Sequence, residues 1–237
     1  MLTHTLFQKF SQPLLDLLYP PICINCKAAD SWLCQDCLAE IDFINPPFCE
    51  RCGTPLSVHL QTCTQCQNNP LHYIDGIRSA AYFENNPIRA AIHTLKYRNH
   101  KAIAAILGEI LADACRRFDL TAQVIVPVPL HSTRYRERGY NQCELVAVQL
   151  AKILNLPVDT HTLQRVRKTK SQMQLRAEER HQNMNDAFAC RSNELSGQTV
   201  LIIDDVCTTG STLDACAKAL KQSGVAFVWG ATLAKAR

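Results

Sequence analysis

Residues 200–212 read Val-Leu-Ile-Ile-Asp-Asp-Val-Cys-Thr-Thr-Gly-Ser-Thr, which sets two adjacent carboxylates just ahead of a run of small hydroxylated residues. Such a run can offer hydroxyls and backbone N–H groups to an anion, and a helix starting there adds its positive end. The acids can hold sugar hydroxyls or a divalent cation. One loop could thus grip a phosphorylated sugar from both ends. Taken singly, the parts are ordinary: an Asp-Asp pair is usually a solvated strand end, and Thr-Thr-Gly-Ser-Thr a turn with an N-cap. Their unbroken order is what carries the chemistry. To position them, Val200–Ile203 should form a buried parallel strand, with Asp204 and Asp205 at its C-terminal end and a helix from near Leu213.

Two basic segments could serve the same ligand. Val126-Pro-Val-Pro129 ends an earlier strand and is followed by Arg134, Arg136 and Arg138, then Gly139-Tyr-Asn-Gln142. A charge run is usually a solvated face, but arginines in a loop after a strand end match phosphate oxygens in pairs. Residues 165–180 hold six basic and two acidic residues. They read either as a solvated loop or as a basic lid that excludes water from a charged substrate, with Lys168, Lys170, Gln172 and Arg176 as its candidate contacts. His131 stays open between a packing and a functional role, and Cys207 reads as filler inside the phosphate loop.

Eight of the 13 cysteines form four Cys-x-x-Cys pairs: Cys23/Cys26, Cys34/Cys37, Cys49/Cys52 and Cys63/Cys66. Each pair can point two thiolates at one tetrahedral ion, so four pairs make two sites. Zinc suits such regular knuckles better than an iron–sulfur cluster, though spacing alone leaves iron open. The pairs can combine sequentially or interleaved. The sequential set closes the shorter loops and is preferred: Cys23, Cys26, Cys34 and Cys37 on one ion, and Cys49, Cys52, Cys63 and Cys66 on the other. Four protein ligands leave no position for water, so the sites read as structural.

The other elements follow from periodicity. Leu6, Phe10, Leu14 and Leu17/Leu18 give residues 1–20 a helical stripe, read as packing onto the body of the protein. Residues 21–69 form the cysteine module. From 70 to 237 strands alternate with helices: strand character in 74–83, 124–128, 162–166, 187–190, 200–203 and 225–233, and helices over 87–97, 102–118, 142–154 and 213–222. The expected class is α/β, a mostly parallel sheet with helices on both faces. Ligands of such sheets sit beyond the C-terminal strand ends. The 237 residues, 47% hydrophobic and 19% charged, suffice for one sizeable core plus a small module. A net charge of +4 does not mark a nucleic-acid binder. With no signal-peptide run and no membrane span, the expected location is the cytoplasm.

The segment 200–212 resembles the signature by which type I phosphoribosyltransferases bind phosphoribosyl pyrophosphate (PRPP). With Leu18-Tyr19-Pro20, the paired cysteines, Leu95-Lys96-Tyr97, Val126–Pro129 and Arg136-Glu-Arg-Gly-Tyr-Asn-Gln142, nearly the whole chain is similar to the ComF family. That resemblance implies a double zinc ribbon joined to a type I phosphoribosyltransferase domain, and a role in natural transformation on cytoplasmic single-stranded DNA, with a competence helicase as a further partner. It implies that Thr208, Thr209, Gly210, Ser211 and Thr212 hold the 5′-phosphate, and that Asp204 and Asp205 take the ribose hydroxyls with Mg²⁺. The implied activity is phosphoribosyl transfer to an acceptor the resemblance does not name. The alternatives are a PRPP-sensing or DNA- or helicase-docking adaptor without turnover, or a nucleotide-salvage transferase. Aromatic residues make up a modest 7% of the chain, so base stacking on a single strand is not visible.

Overall fold

The computed structural model describes residues 21–56, 61–84, 86–167 and 186–236. The expected N-terminal helix (1–20) and the four candidate lid contacts, Lys168, Lys170, Gln172 and Arg176, lie outside these residues.

Among the described residues four strands form the central sheet: β1 (Gly76–Tyr82), β2 (Val124–Pro127), β5 (Thr199–Cys207) and β6 (Phe227–Lys235). Their spatial order is β1-β6-β5-β2 and every pairing is parallel. The two intervening strands, β3 (Leu163–Arg165) and β4 (Phe188–Cys190), lie outside this sheet as a separate antiparallel ribbon. It joins the two ends of the basic segment, with Val166 N–H on Ala187 C=O at 2.9 Å.

The sheet is apolar on both faces because its strands alternate large aliphatic residues with period two. Ile125, Leu201, Ile203 and Leu233 pack on one side with α3 (Pro87–Tyr97), α4 (Ile103–Arg117) and α6 (Gln142–Leu154). Val124, Val126, Val200, Ile202 and Val228 pack on the other with Leu213, Cys216 and Leu220 of α7 (Ser211–Gln222). The two short helices of the cysteine module, α1 (Gln35–Ala39) and α2 (Thr64–Asn68), begin right after Cys34 and Cys63.

Three differences from expectation bear on the site, each with a hydrogen-bonding reason. β5 does not stop at Ile203: it outruns β2 and stays paired with β6, Asp204 opposite Thr232 and Cys207 opposite Lys235. The acids therefore stand inside a ladder rather than at a free strand end. α7 starts at Ser211, with Gly210 in the N-cap position and its C=O accepting the Asp214 N–H at 2.9 Å. The arginine segment, expected as a loop, is helix α5 (Ser132–Arg138). His131 Nδ1 accepts the Thr133 N–H at its start, and Gly139, at φ +79°, closes its end by donating to Tyr135 C=O.

From β2 the chain passes through α5 and α6 to Val158, which bridges Ile125 on the sheet's outer edge. From β5 it passes through α7 to β6 on the opposite side. The two departures diverge and leave a crevice beyond the C-terminal ends of β2 and β5, the position where open parallel sheets bind ligands.

Candidate functional site

That crevice is an open groove of about 1180 Å³. Its walls include Asp204, Asp205, Thr208 and Thr212 from one side and Arg134, Arg138 and Gln142 from the other. Both sequence-predicted acids, the loop residues Thr208 and Thr212, and two of the three arginines thus converge, while Thr209, Gly210 and Ser211 lie behind the groove wall. Arg136 is exposed and not part of the lining, because on a helix Arg134 and Arg138 (i, i+4) share a face and Arg136 lies opposite.

The 208–212 loop is built around Gly210. Its φ of +86° belongs to glycine, and a Cβ there would stand 2.9 Å from Ile77 Cδ1 and 3.1 Å from Leu71 Cδ1. This turn brings Thr209 Oγ1 within 2.6 Å of Ser211 Oγ, both buried. Of the loop's hydroxylated residues, Thr208 and Thr212 reach the groove. Cys207 is buried against Lys235.

The two acids have different surroundings. Asp205 Oδ1 accepts from Lys96 Nζ at 2.7 Å and its Oδ2 from Gln142 Nε2 at 2.6 Å, so its carboxylate is held on both oxygens. Arg138 Nη1 in turn donates to Gln142 Oε1, which extends the chain of contacts to α5. Asp204 accepts its neighbour's backbone N–H at 2.8 Å and the Cys143 thiol at 3.4 Å. Burial, and then the charge of Asp205, push the Asp204 carboxyl up to about 7. Burial also draws the Lys96 ammonium down, but Asp205 outweighs it and the net shift is upward.

These contacts account for Arg138, Tyr140, Asn141 and Gln142 of the 136–142 motif. Tyr140 O–H donates to Leu95 C=O, docking the end of α3 beside the acids. Asn141 caps α6 by accepting the Cys143 N–H at 3.0 Å, and donates to Val128 C=O at 3.0 Å. Gln142 orients Asp205. Lys96 is the functional candidate that residue-level reading missed: it carried no signal beyond the Leu95-Lys96-Tyr97 resemblance. His131 is a helix cap. Arg165, at the stem of the basic segment, also lines the groove.

The eight paired cysteines gather in the sequential arrangement: Cys23, Cys26, Cys34 and Cys37 in one group, Cys49, Cys52, Cys63 and Cys66 in the other. In each group the sulfurs lie within 4.8 Å of one another, which fits four-sulfur coordination of zinc. The Cys52 thiol is held down, to about 4, chiefly by a hydrogen bond from Cys66, with burial opposing and Lys235 assisting; the same hydrogen bond pushes Cys66 up, so binding of zinc as thiolates has to displace the remaining protons. The groups occupy different places. Cys23 and Cys37 pack with Leu33 and Ile41 on the α3/α4 side, whereas the second group shares a core with Cys207, Leu213 and Cys216.

Comparison with known proteins matches residues 14–67 to a double zinc ribbon domain and residues 93–237 to a phosphoribosyl transferase domain. Competence protein F of Haemophilus influenzae is 34% identical over 88% of this chain and 95% of its own length. DNA utilization protein YhgH of Salmonella typhimurium is 32% identical over 90% and 96%. Competence protein ComFC of Bacillus subtilis is 28% identical over 83% and 81%. Among solved structures, the glutamine PRPP amidotransferase of B. subtilis aligns at a TM-score of 0.41 and 17% identity, over 60% of this chain and 30% of that one. Both halves of the chain and its full-length relatives agree, and the chain belongs to the ComF family.

Proposed function

We propose that the groove binds PRPP together with Mg²⁺ and that the chain acts in the handling of incoming DNA, as the names of its competence and DNA-utilization relatives suggest. The observation that carries the reading is the convergence in one groove of the Gly210 loop, an acid poised near neutrality and the arginines of α5. Thr208–Thr212 would hold the 5′-phosphate at the start of α7. Arg134 and Arg138 would meet the pyrophosphate oxygens. Asp204 is a hard oxygen donor, suited to Mg²⁺ held by one carboxylate plus substrate oxygens; the Cys143 thiol beside it is not. Mg²⁺ would neutralise charge on the leaving pyrophosphate. Asp204 would then stabilise positive charge growing on the ribose ring, and Asp205, fixed by Lys96 and Gln142, would keep it in place. The reaction is displacement at the anomeric carbon of PRPP by an acceptor that the groove does not identify. Cytoplasmic single-stranded DNA and a helicase are the partners that a competence role calls for. No helix among the described residues is long and apolar enough to cross a membrane.

A second reading, PRPP sensing without turnover, is favoured by one feature: Lys96 and Gln142 already occupy Asp205, leaving a single acid for the sugar. Calorimetric titration with PRPP and Mg²⁺ tests binding. Wild type should bind, and an Asp204→Asn/Asp205→Asn variant should not while keeping its zinc. Normal PRPP binding by that variant would sink the assignment. A screen of acceptors for pyrophosphate release then separates transferase from sensor.

A further inference from the structure

The second cysteine group lies directly behind the phosphate loop, and a buried lysine stands between them. Lys235, on β6 and 4% exposed, donates to Cys52 C=O at 3.3 Å and to Cys207 Sγ at 3.9 Å. The adjoining Ala236 N–H donates to Cys207 C=O at 2.9 Å. The same knuckle braces the loop from below. Arg51 Nη2 donates to Leu71 C=O at 2.9 Å, and Arg51 C=O accepts the Ile77 N–H at 2.8 Å. Leu71 and Ile77 are the two side chains that wall Gly210. Beyond Leu71, the N–H groups of Tyr73 and Ile74 both donate to Asp214 Oδ1 in the first turn of α7, at 2.8 and 3.0 Å.

Charge gives this packing a direction. Four thiolates around Zn²⁺ leave a net charge of −2, and such a charge in a core needs cations beside it. Lys235 is one. Arg78 is another: Glu50 C=O accepts its Nη1 at 2.8 Å, and its guanidinium lies near Cys49 and Cys52. We propose that Lys235 is a positioning residue that couples the metal state of the second cysteine group to the shape of the phosphate loop, so that this group works as part of the anion site. The consequence for ligand binding rests on the reading of 208–212 as an anion cradle. With the ion in place, the knuckle keeps Cys52 C=O under Lys235 and Leu71 against Gly210. Without it the four sulfurs have nothing to gather them, and the loop loses its floor. The first group, on the α3/α4 side, has no part in this.

Amide hydrogen exchange on the full chain tests the coupling without any ligand. In Cys66→Ser, amides of 207–212 should exchange about tenfold faster while those of β2 and α6 keep their protection. Cys26→Ser should leave 207–212 unchanged. Lys235→Met, with all eight cysteines intact, should loosen the loop as Cys66→Ser does and give up one of two zinc ions faster to a chromogenic chelator. Wild-type exchange at 207–212 or wild-type zinc release in Lys235→Met overturns the proposal, as does equal loosening by Cys26→Ser. If Cys66→Ser does not fold, Lys235→Met decides alone. Absence of PRPP binding in the wild type would overturn the proposed function and leave these readouts standing.

Discussion

Lys96 Nζ lies 2.7 Å from Asp205 Oδ1, an ion pair that ties the end of α3 to β5 across 109 positions of sequence. Both side chains are largely withdrawn from solvent, at 21% and 10% exposure. Removing one member of such a pair strands the other charge, which matters more than the attraction lost. Lys96→Met should therefore lower stability by about 3 kcal/mol. The urea midpoint reads this directly, and a change smaller than about 0.5 kcal/mol would show that the pair behaves as a surface contact.

The unequal settings of the two acids predict opposite results for the same substitution. Asp205→Asn leaves Lys96 without its counter-charge and should destabilise the fold by about 2–3 kcal/mol. Asp204→Asn removes a carboxylate that burial and Asp205 already disfavour, so at pH 8 the variant should be as stable as wild type or more so. Both should lose PRPP, Asp204→Asn through lost contact and Asp205→Asn through lost order. Thermal melts at pH 8 beside calorimetry separate the two; parallel destabilisation would refute the division of roles.

Asp204 also sets a pH signature. Its carboxyl stands near 7 in the fold against 3.8 ordinarily, so the folded state holds a proton that the unfolded chain has released between these values. By linkage, this group makes the fold less stable as pH rises from about 4 to about 7. Binding of a Mg²⁺-bearing ligand needs the ionised form and should run the other way, weakening about tenfold per pH unit below 7. Wild type compared with Asp204→Asn across pH 5.5–8.5 isolates both slopes. A flat affinity profile would remove Asp204 from the site.

The parts of this arrangement that could be read in sequence are those encoded within a few residues. The paired cysteines declare a four-sulfur site because ligand spacing is local, and the 200–212 segment carries strand, acids, turn and cap in one run. Arg134-Tyr-Arg-Glu-Arg138 was illegible as a helix because its stripe is not apolar: the cap at His131 and the left-handed turn at Gly139 make it one. The extension of β5 past Ile203 depends on β6, and the partner of Asp205 is fixed only when Tyr140 docks Leu95. The convergence of Cys52, Lys235 and Cys207 from three remote segments had no local trace at all.

The helical form of α5 yields a test that a loop would not. If the three arginines followed a strand in an irregular segment, each could turn toward the ligand and their removal would have comparable effects. On a helix, Arg134 and Arg138 share the face that lines the groove and Arg136 points away. Pyrophosphate is the suitable probe, since it presents only the oxygens these side chains would meet. Arg134→Ala should weaken its binding about tenfold, the worth of a charge-assisted hydrogen bond. Arg138→Ala should cost more, because that guanidinium also holds Gln142, which orients Asp205, and lies 5.5 Å over the Tyr97 ring. Arg136→Ala should stay within about twofold of wild type, the range of a solvated charge. Equal losses at all three positions would mean that α5 unwinds when the ligand arrives.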